Sequence, residues 1–129
     1  MIFEQIYKDD IFANEAGIEI VEITDDKAVM SLSIERRHLN GGSVAHGGAI
    51  YTLADIAMAA IANHKQPLSV SIQSDIRFLA AAVEGDTLRA EASVVFLRNR
   101  MSHCRAEISN QHGELIAIAE GMCLIKKQQ

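Results

Sequence analysis

Residues 40–63 read NGGSVAHGGAIYTLADIAMAAIAN, a glycine-rich loop running into a stretch that is apolar at nearly every position. Between Ala49 and Ala62 stand Ile50, Leu53, Ala54, Ile56, Ala57, Met58, Ala59, Ala60 and Ile61. A helix that is apolar around its whole circumference is buried on all sides. This one is too short to span a bilayer, and Asp55 interrupts it. Other elements must therefore wrap a helix expected over residues 46–63. Asp55 is the anomaly, because an aspartate is almost never fully buried without a partner. A carboxylate stranded in apolar surroundings either destabilises the fold or gives up its charge. Asp55 therefore sits on a wet edge of the helix, caps a backbone group, or is kept for chemistry.

The loop before the helix favours chemistry. Gly47 and Gly48 allow a ligand to approach the backbone closely, at a point where a helix presents unpaired N–H groups and the positive end of its dipole. Such a start stabilises an oxyanion or a phosphate. A carboxylate and an oxyanion-stabilising helix start are together parts of an acyl-transfer site. Eight residues separate Gly47 from Asp55, roughly 12 Å along a helix axis, which is too far for one carbonyl to touch both. If both serve one site, they come from two chains, and the helix lies near a two-fold interface.

Asn40, then His46-Gly47-Gly48, then Leu53-Ala54-Asp55 resembles the signature of hotdog-fold acyl-CoA thioesterases, in the PaaI-like branch typified by the phenylacetate pathway. Asp75-Ile76-Arg77-Phe78-Leu79, Glu84-Gly85-Asp86 and the turn Asn110-Gln111-His112-Gly113 are similar too, so the resemblance covers residues 15–126. It implies an α+β hotdog fold, an antiparallel six-stranded sheet wrapped around the long helix. It also implies a homodimer, or a tetramer built from two dimers, with sites at the dimer interface. Asn40, by itself a turn residue, is implied to sit beside the thioester or a catalytic water. A polar residue on the strand after the helix assists Asp55 in the family, and Ser71 and Ser74 are both candidates. Gly48 joins Gly47 in contacting substrate. His46 is either a general acid or, as we expect, a brace for the turn that presents Gly47. Ala80-Ala81 stands where similar proteins usually carry Arg-Pro, so the resemblance does not carry any substrate or coenzyme contact of that arginine over to this chain. Arg98 and Arg100 are candidates for coenzyme A phosphates, since guanidinium groups suit phosphate oxygens.

The remaining sequence fits one domain over residues 1–129. An apolar content of 49 % with 5 % aromatics, and much alanine in the helix, suits close packing of a helix against a sheet. A net charge of −5 gives no electrostatic case for nucleic acid. No membrane span or signal peptide is expected, because the start MIFEQIYKDDIF is acidic where a basic region and an apolar core would stand. Cys104 and Cys123 lack metal-ligand spacing and read as reduced thiols of a cytoplasmic protein. His38 and His46 have no third ligand near them, so no metal is expected. No other cofactor is expected either, with coenzyme A arriving as part of the substrate.

Residues 1–14 read as one amphipathic helix. Strands are expected at 18–24 (with a bulge), 28–34, 68–79, 87–97, 101–109 and 114–125, with consecutive strands pairing antiparallel across short turns. Along 68–79, Val70, Ile72, Ser74, Ile76 and Phe78 share one face by alternation. The expected function is hydrolysis of a small aromatic or medium-chain acyl-CoA. Its rivals are a hotdog dehydratase or hydratase, whose His-containing motif is not found, and a non-catalytic acyl-CoA-binding module, which would gain nothing from Asp55.

Overall fold

The structure, a computed structural model, describes residues 2–64 and 68–126. The expected exit loop at 63–67 and the tail at 126–129 lie partly outside these residues. The elements in order are α1 (Ile2–Tyr7), α2 (Ile11–Ala16), β1 (Glu19–Ile23), β2 (Ala28–Ser33), a 3-10 turn (Arg36–His38), α3 (Gly47–Ala62), β3 (Ser69–Phe78), β4 (Thr87–Arg98), β5 (Met101–Ser109) and β6 (Leu115–Ile125).

The long apolar run becomes α3, with Ile50, Leu53, Ala54, Ile56, Ala57, Met58, Ala60, Ile61 and Ala62 all buried. The sheet meets it with small side chains. Ala90 and Ala92 on β4, Cys104 and Ala106 on β5, and Ala117 and Ala119 on β6 are all fully buried. Alanine on both sides lets the helix lie close to the strands, and Leu88, Ile108, Met30 and Leu32 fill the remaining core. Gly121 is one point of close approach. A Cβ there would lie 3.2 Å from the Gln73 carbonyl oxygen, 3.4 Å from the Ser74 Cβ and 3.5 Å from the Met58 methyl.

The six strands form one antiparallel sheet in the order β1-β2-β4-β5-β6-β3, the architecture expected of a hotdog fold. Pairing by chain order holds for β1–β2, β4–β5 and β5–β6. It fails at β3, which crosses to the far edge and pairs with β6, while β4 returns beside β2. Residues 79–86 are long enough to make that crossing, so β3 and β4 are no hairpin. The expected bulge in β1 is found between Ile20 and Glu22. A second register shift, between Ser71 and Gln73, breaks the strict alternation expected along β3. Because β3 is an edge, Val70, Ile72 and Phe78 stay exposed in the single chain.

The single helix expected over residues 1–14 is two. Asp10 stops the first and starts the second, its Oδ1 accepting the Ala13 N–H at 3.0 Å. Asn14 Nδ2 ties the joint by donating to the Tyr7 and Asp10 carbonyls at 2.8 and 2.7 Å. Aspartate competes for backbone donors and so favours a cap over a helix interior. Phe3 and Tyr7 of α1 pack into the core, whereas Ile11 and Phe12 of α2 are each 72 % exposed.

Candidate active site

The loop before α3 is cross-braced at each step. The Ala45 N–H donates to the Ala82 carbonyl and the His46 N–H to the His38 carbonyl, at 2.8 and 2.7 Å. His38 is buried. Its Nδ1 accepts the Glu35 N–H at 2.9 Å, so Nε2 carries the proton and donates to the Ala16 carbonyl at 2.7 Å. That neutral imidazole fastens α2 to the loop, and Arg37 adds bonds to the carbonyls of Glu15 and Ala16.

His46 is the N-cap of α3, its Nδ1 accepting the Gly48 N–H at 3.0 Å. The imidazole thus braces the turn, as expected, and leaves Gly47 as the open donor. The Gly47 N–H has no partner among the described residues. Gly48 remains exposed at the helix start, but its N–H is engaged by His46. A Cβ on Gly47 would lie 3.2 Å from the Phe78 ring, so glycine is what lets the end of β3 close over the helix start.

Gly48, Tyr51, Thr52 and Asp55 form the one stripe of α3 that the sheet leaves uncovered. Asp55 therefore lies on the wet edge, half-buried. It makes no hydrogen bond or ion pair with any described residue, so it is not a cap. Burial foremost, and then the negative charge of Asp10, push its carboxyl above the ordinary value. It opens on a cleft of about 410 Å³ lined also by Asp10, Phe12, Ala13, Tyr51, Thr52 and Ile56. Thr52 Oγ1 donates to the Gly48 carbonyl at 2.7 Å, and the Tyr51 hydroxyl is 2.6 Å from Ser74 Oγ.

The other residues expected at the site divide. Ser74 reaches the stripe through Tyr51. Ser71 pairs with Cys123 and is exposed, and among the described residues it makes no side-chain hydrogen bond to α3. Asn40 folds its own loop, its Oδ1 accepting the N–H groups of Gly42 and Val44 at 2.8 and 3.3 Å. Arg98 and Arg100 flank Asn99 at the β4–β5 tip, where Asn99 takes a φ of 57°. That tip lies at the C-terminal end of α3. The Ile125 N–H donates to the Arg100 carbonyl, Ile125 pairs with Ser69, and Ser69 is bound by Asn63. Within one chain, Gly47 stands a helix length away, about 24 Å for 16 residues. No group of three His, Cys, Asp or Glu among the described residues is placed to hold a metal. Cys104 and Cys123 are free thiols buried in the core.

Tyr51, Thr52, Asp10 and Phe12 were not anticipated from the sequence. Tyr51 carried a usable signal, since it stands one turn before Asp55 and shares its face. Asp10 and Phe12 carried none, because nothing in the sequence placed α2 against α3.

The profile of the thioesterase superfamily matches residues 42–117, from the loop at Gly42 through α3 to β6. The chain belongs to the thioesterase superfamily. Within it, the acyl-coenzyme A thioesterase PaaI of Escherichia coli is 32 % identical over 116 residues, 90 % of this chain and 83 % of its own. The solved structure of E. coli PaaI superposes with a TM-score of 0.93, covering 98 % of this chain and 91 % of that one at 29 % identity. A Streptococcus pneumoniae protein named a hypothetical thioesterase, solved with coenzyme A, gives a TM-score of 0.88 at 25 % identity, covering 98 % of both chains. An Archaeoglobus fulgidus protein provisionally named an esterase is 35 % identical over 118 residues, 92 % of this chain and 77 % of its own. This thioesterase thus has the hotdog fold and is PaaI-like over nearly its whole length.

Proposed function

We propose that the chain hydrolyses acyl-CoA thioesters, with a small aromatic or medium-chain acyl group, at sites shared between two copies. The observation that carries this reading is a pair of unsatisfied groups on α3, one on its uncovered stripe and one at its start. They are the half-buried Asp55 carboxylate and, two turns earlier, the Gly47 N–H, each without a partner among the described residues. The Gly47 N–H of one copy donates to the thioester carbonyl oxygen and stabilises the oxyanion that forms there. Asp55 of the other copy takes a proton from a water, whose oxygen attacks the carbonyl carbon. The carbon–sulfur bond breaks, the proton goes to the thiolate, and free acid and CoA leave. A carboxyl whose proton affinity is raised toward the working pH suits a general base. Single turnover in isotopically heavy water tests this step, because attack by Asp55 itself would leave the label in the protein.

Ser74, held by Tyr51 beside Asp55, orients that water. Asn40 turns its Nδ2, which has no partner among the described residues, toward the thioester. No metal or further cofactor takes part. Two copies pair through their β3 edges, which removes an apolar sheet edge from water. A two-fold axis makes that pairing antiparallel. The Ser69 end of one β3 then lies beside the Phe78 end of the other. This brings one copy's β4–β5 tip, with Arg98 and Arg100, to the side of the other copy's Gly47, where the arginines meet the coenzyme phosphates. A second contact through the exposed Val94–Leu97 run makes the dimer of dimers. The two free thiols fit a cytoplasmic location, and no helix among the described residues is long and apolar enough to cross a membrane.

The test is release of free thiol from a panel of acyl-CoAs, followed with a thiol-reactive dye and ranked by kcat/KM. Absence of release from every member would overturn the reading. Sedimentation showing an active monomer would overturn the shared site.

A further inference from the structure

Resting on the reading above, we propose that Asp10 is a positioning residue of the reaction site: its carboxylate, fixed at the start of α2, lines the cleft onto which Asp55 opens and sets a second negative charge beside the general base. The geometry gives Asp10 no freedom to leave. Its Oδ1 caps α2 at Ala13, its carbonyl holds Asn14, and the far end of α2 is fastened by His38 and Arg37 to the loop that presents Gly47. The same loop thus sets the oxyanion donor and the distance of Asp10 from Asp55.

Among the described residues, the groups that face Asp55 are few. From α2 comes Asp10, the only other carboxylate lining the cleft. From α3 itself comes Tyr51, whose hydroxyl is engaged by Ser74. The Cys123 thiol of β6 lies in the core and not in the cleft; its hydrogen bond to Cys104 foremost, then burial and the charges of Cys104 and Asp55, push it up. Among the described residues, no cation lines the cleft. Two carboxylates facing one partly dry cleft cannot both ionise freely, and the less solvated one keeps its proton to higher pH. Asp55 is that one, because burial and Asp10 act on it in the same direction. A base tuned upward in this way accepts a proton from water more readily than an ordinary aspartate.

Asp10→Asn tests this cleanly, since asparagine caps a helix as well as aspartate does and lacks only the charge. The acid limb of kcat/KM against pH should move to lower pH by at least ~0.3 unit, a twofold change in proton affinity. The plateau rate should fall, and the melting temperature should hold. Asp10→Glu, which restores the charge, should return the limb toward its wild-type position. Raising the salt should shrink the difference between wild type and Asp10→Asn. Should Asp10→Asn fold poorly, Asp10→Ser keeps the cap by a different group and carries the same expectation. A second readout is independent of turnover: the carbon-13 titration of the Asp55 carboxyl, assigned by its loss in Asp55→Asn, followed with and without the Asp10 charge. Coincident titration curves in wild type and Asp10→Asn would overturn the inference even if acyl-CoA is hydrolysed. If no acyl-CoA is hydrolysed but the curves separate, the proposed function fails and the coupling stands.

Discussion

Asp55 and Asp86 are the same side chain in opposite surroundings. Asp86 is buried in the turn before β4, with Oδ2 accepting the Val83 N–H at 2.9 Å and Oδ1 accepting Gln111 Nε2 at 2.8 Å. The Val83 N–H foremost, then Gln111 and the His112 charge, hold its carboxyl below the ordinary value against a smaller effect of burial. Asp55 has no such donor, and burial and a like charge push it the other way. A carboxylate whose oxygens are bonded to the fold stabilises the fold. One that is desolvated and unbonded weakens it, so its presence in the wet stripe of α3 is explained by reaction and not by packing.

Four expectations follow from that contrast, in order of size. Asp55→Asn should lower kcat/KM by about 10²- to 10⁴-fold, the usual contribution of a general base, while circular dichroism stays native-like and the melting temperature does not fall. Inactivity accompanied by a lower melting temperature would make Asp55 structural and erase the contrast.

Asp86→Ala should do the reverse. Loss of two hydrogen bonds to a buried charge lowers stability by about 1–3 kcal/mol, read by urea denaturation, and the folded fraction keeps its turnover. Tyr51→Phe should fall between the two. It removes one bond to Ser74 and should reduce kcat/KM about three- to tenfold, the size of about 1 kcal/mol, with little change in melting.

The pH dependence of stability sharpens the comparison, because the signs are opposite. Asp86 is held below its unfolded value of 3.8, so its contribution is present above that pH and is lost as pH falls through the folded value. The melting gap between wild type and Asp86→Ala should therefore close on acidification. Asp55 is raised above 3.8, so its contribution is present below that pH and is lost as pH rises through the folded value. Asp55→Asn should thus gain stability relative to wild type from about pH 3 to pH 7. Parallel melting curves at all pH values would contradict both assignments.

Much of the centre was legible beforehand, because burial on all sides leaves a direct mark on composition. The apolar run, the glycine break before it and the lone carboxylate within it translated into α3, its N-cap at His46 and the stripe at Asp55. Alternation located the strands, since a pleated strand half in water must alternate. What was not legible is what depends on contacts between distant segments. Strand order is one case, because 79–86 could join a hairpin or a crossover. The Tyr51–Ser74 bond is another, since it joins α3 to β3 across 23 residues of chain. Asp10 is the third. Its capping preference broke the N-terminal helix in two, and only the docking of α2 through His38 and Arg37 put it opposite Asp55.

The central claim is that Gly47 and Asp55 meet from two different chains, and a mixed dimer tests it most directly. Asp55→Asn removes the base. Gly47→Pro removes the N–H at a first helical position, where proline is well tolerated, although the Phe78 ring must give slightly to admit it. Each homodimer should be inactive. Co-refolded and isolated by two different tags, a mixed dimer collects both lesions at one site and neither at the other. It should recover up to about half of the wild-type rate per dimer by symmetry. A verified mixed dimer with no recovered activity would show that each chain supplies both groups to its own site, and the two-chain account would be wrong.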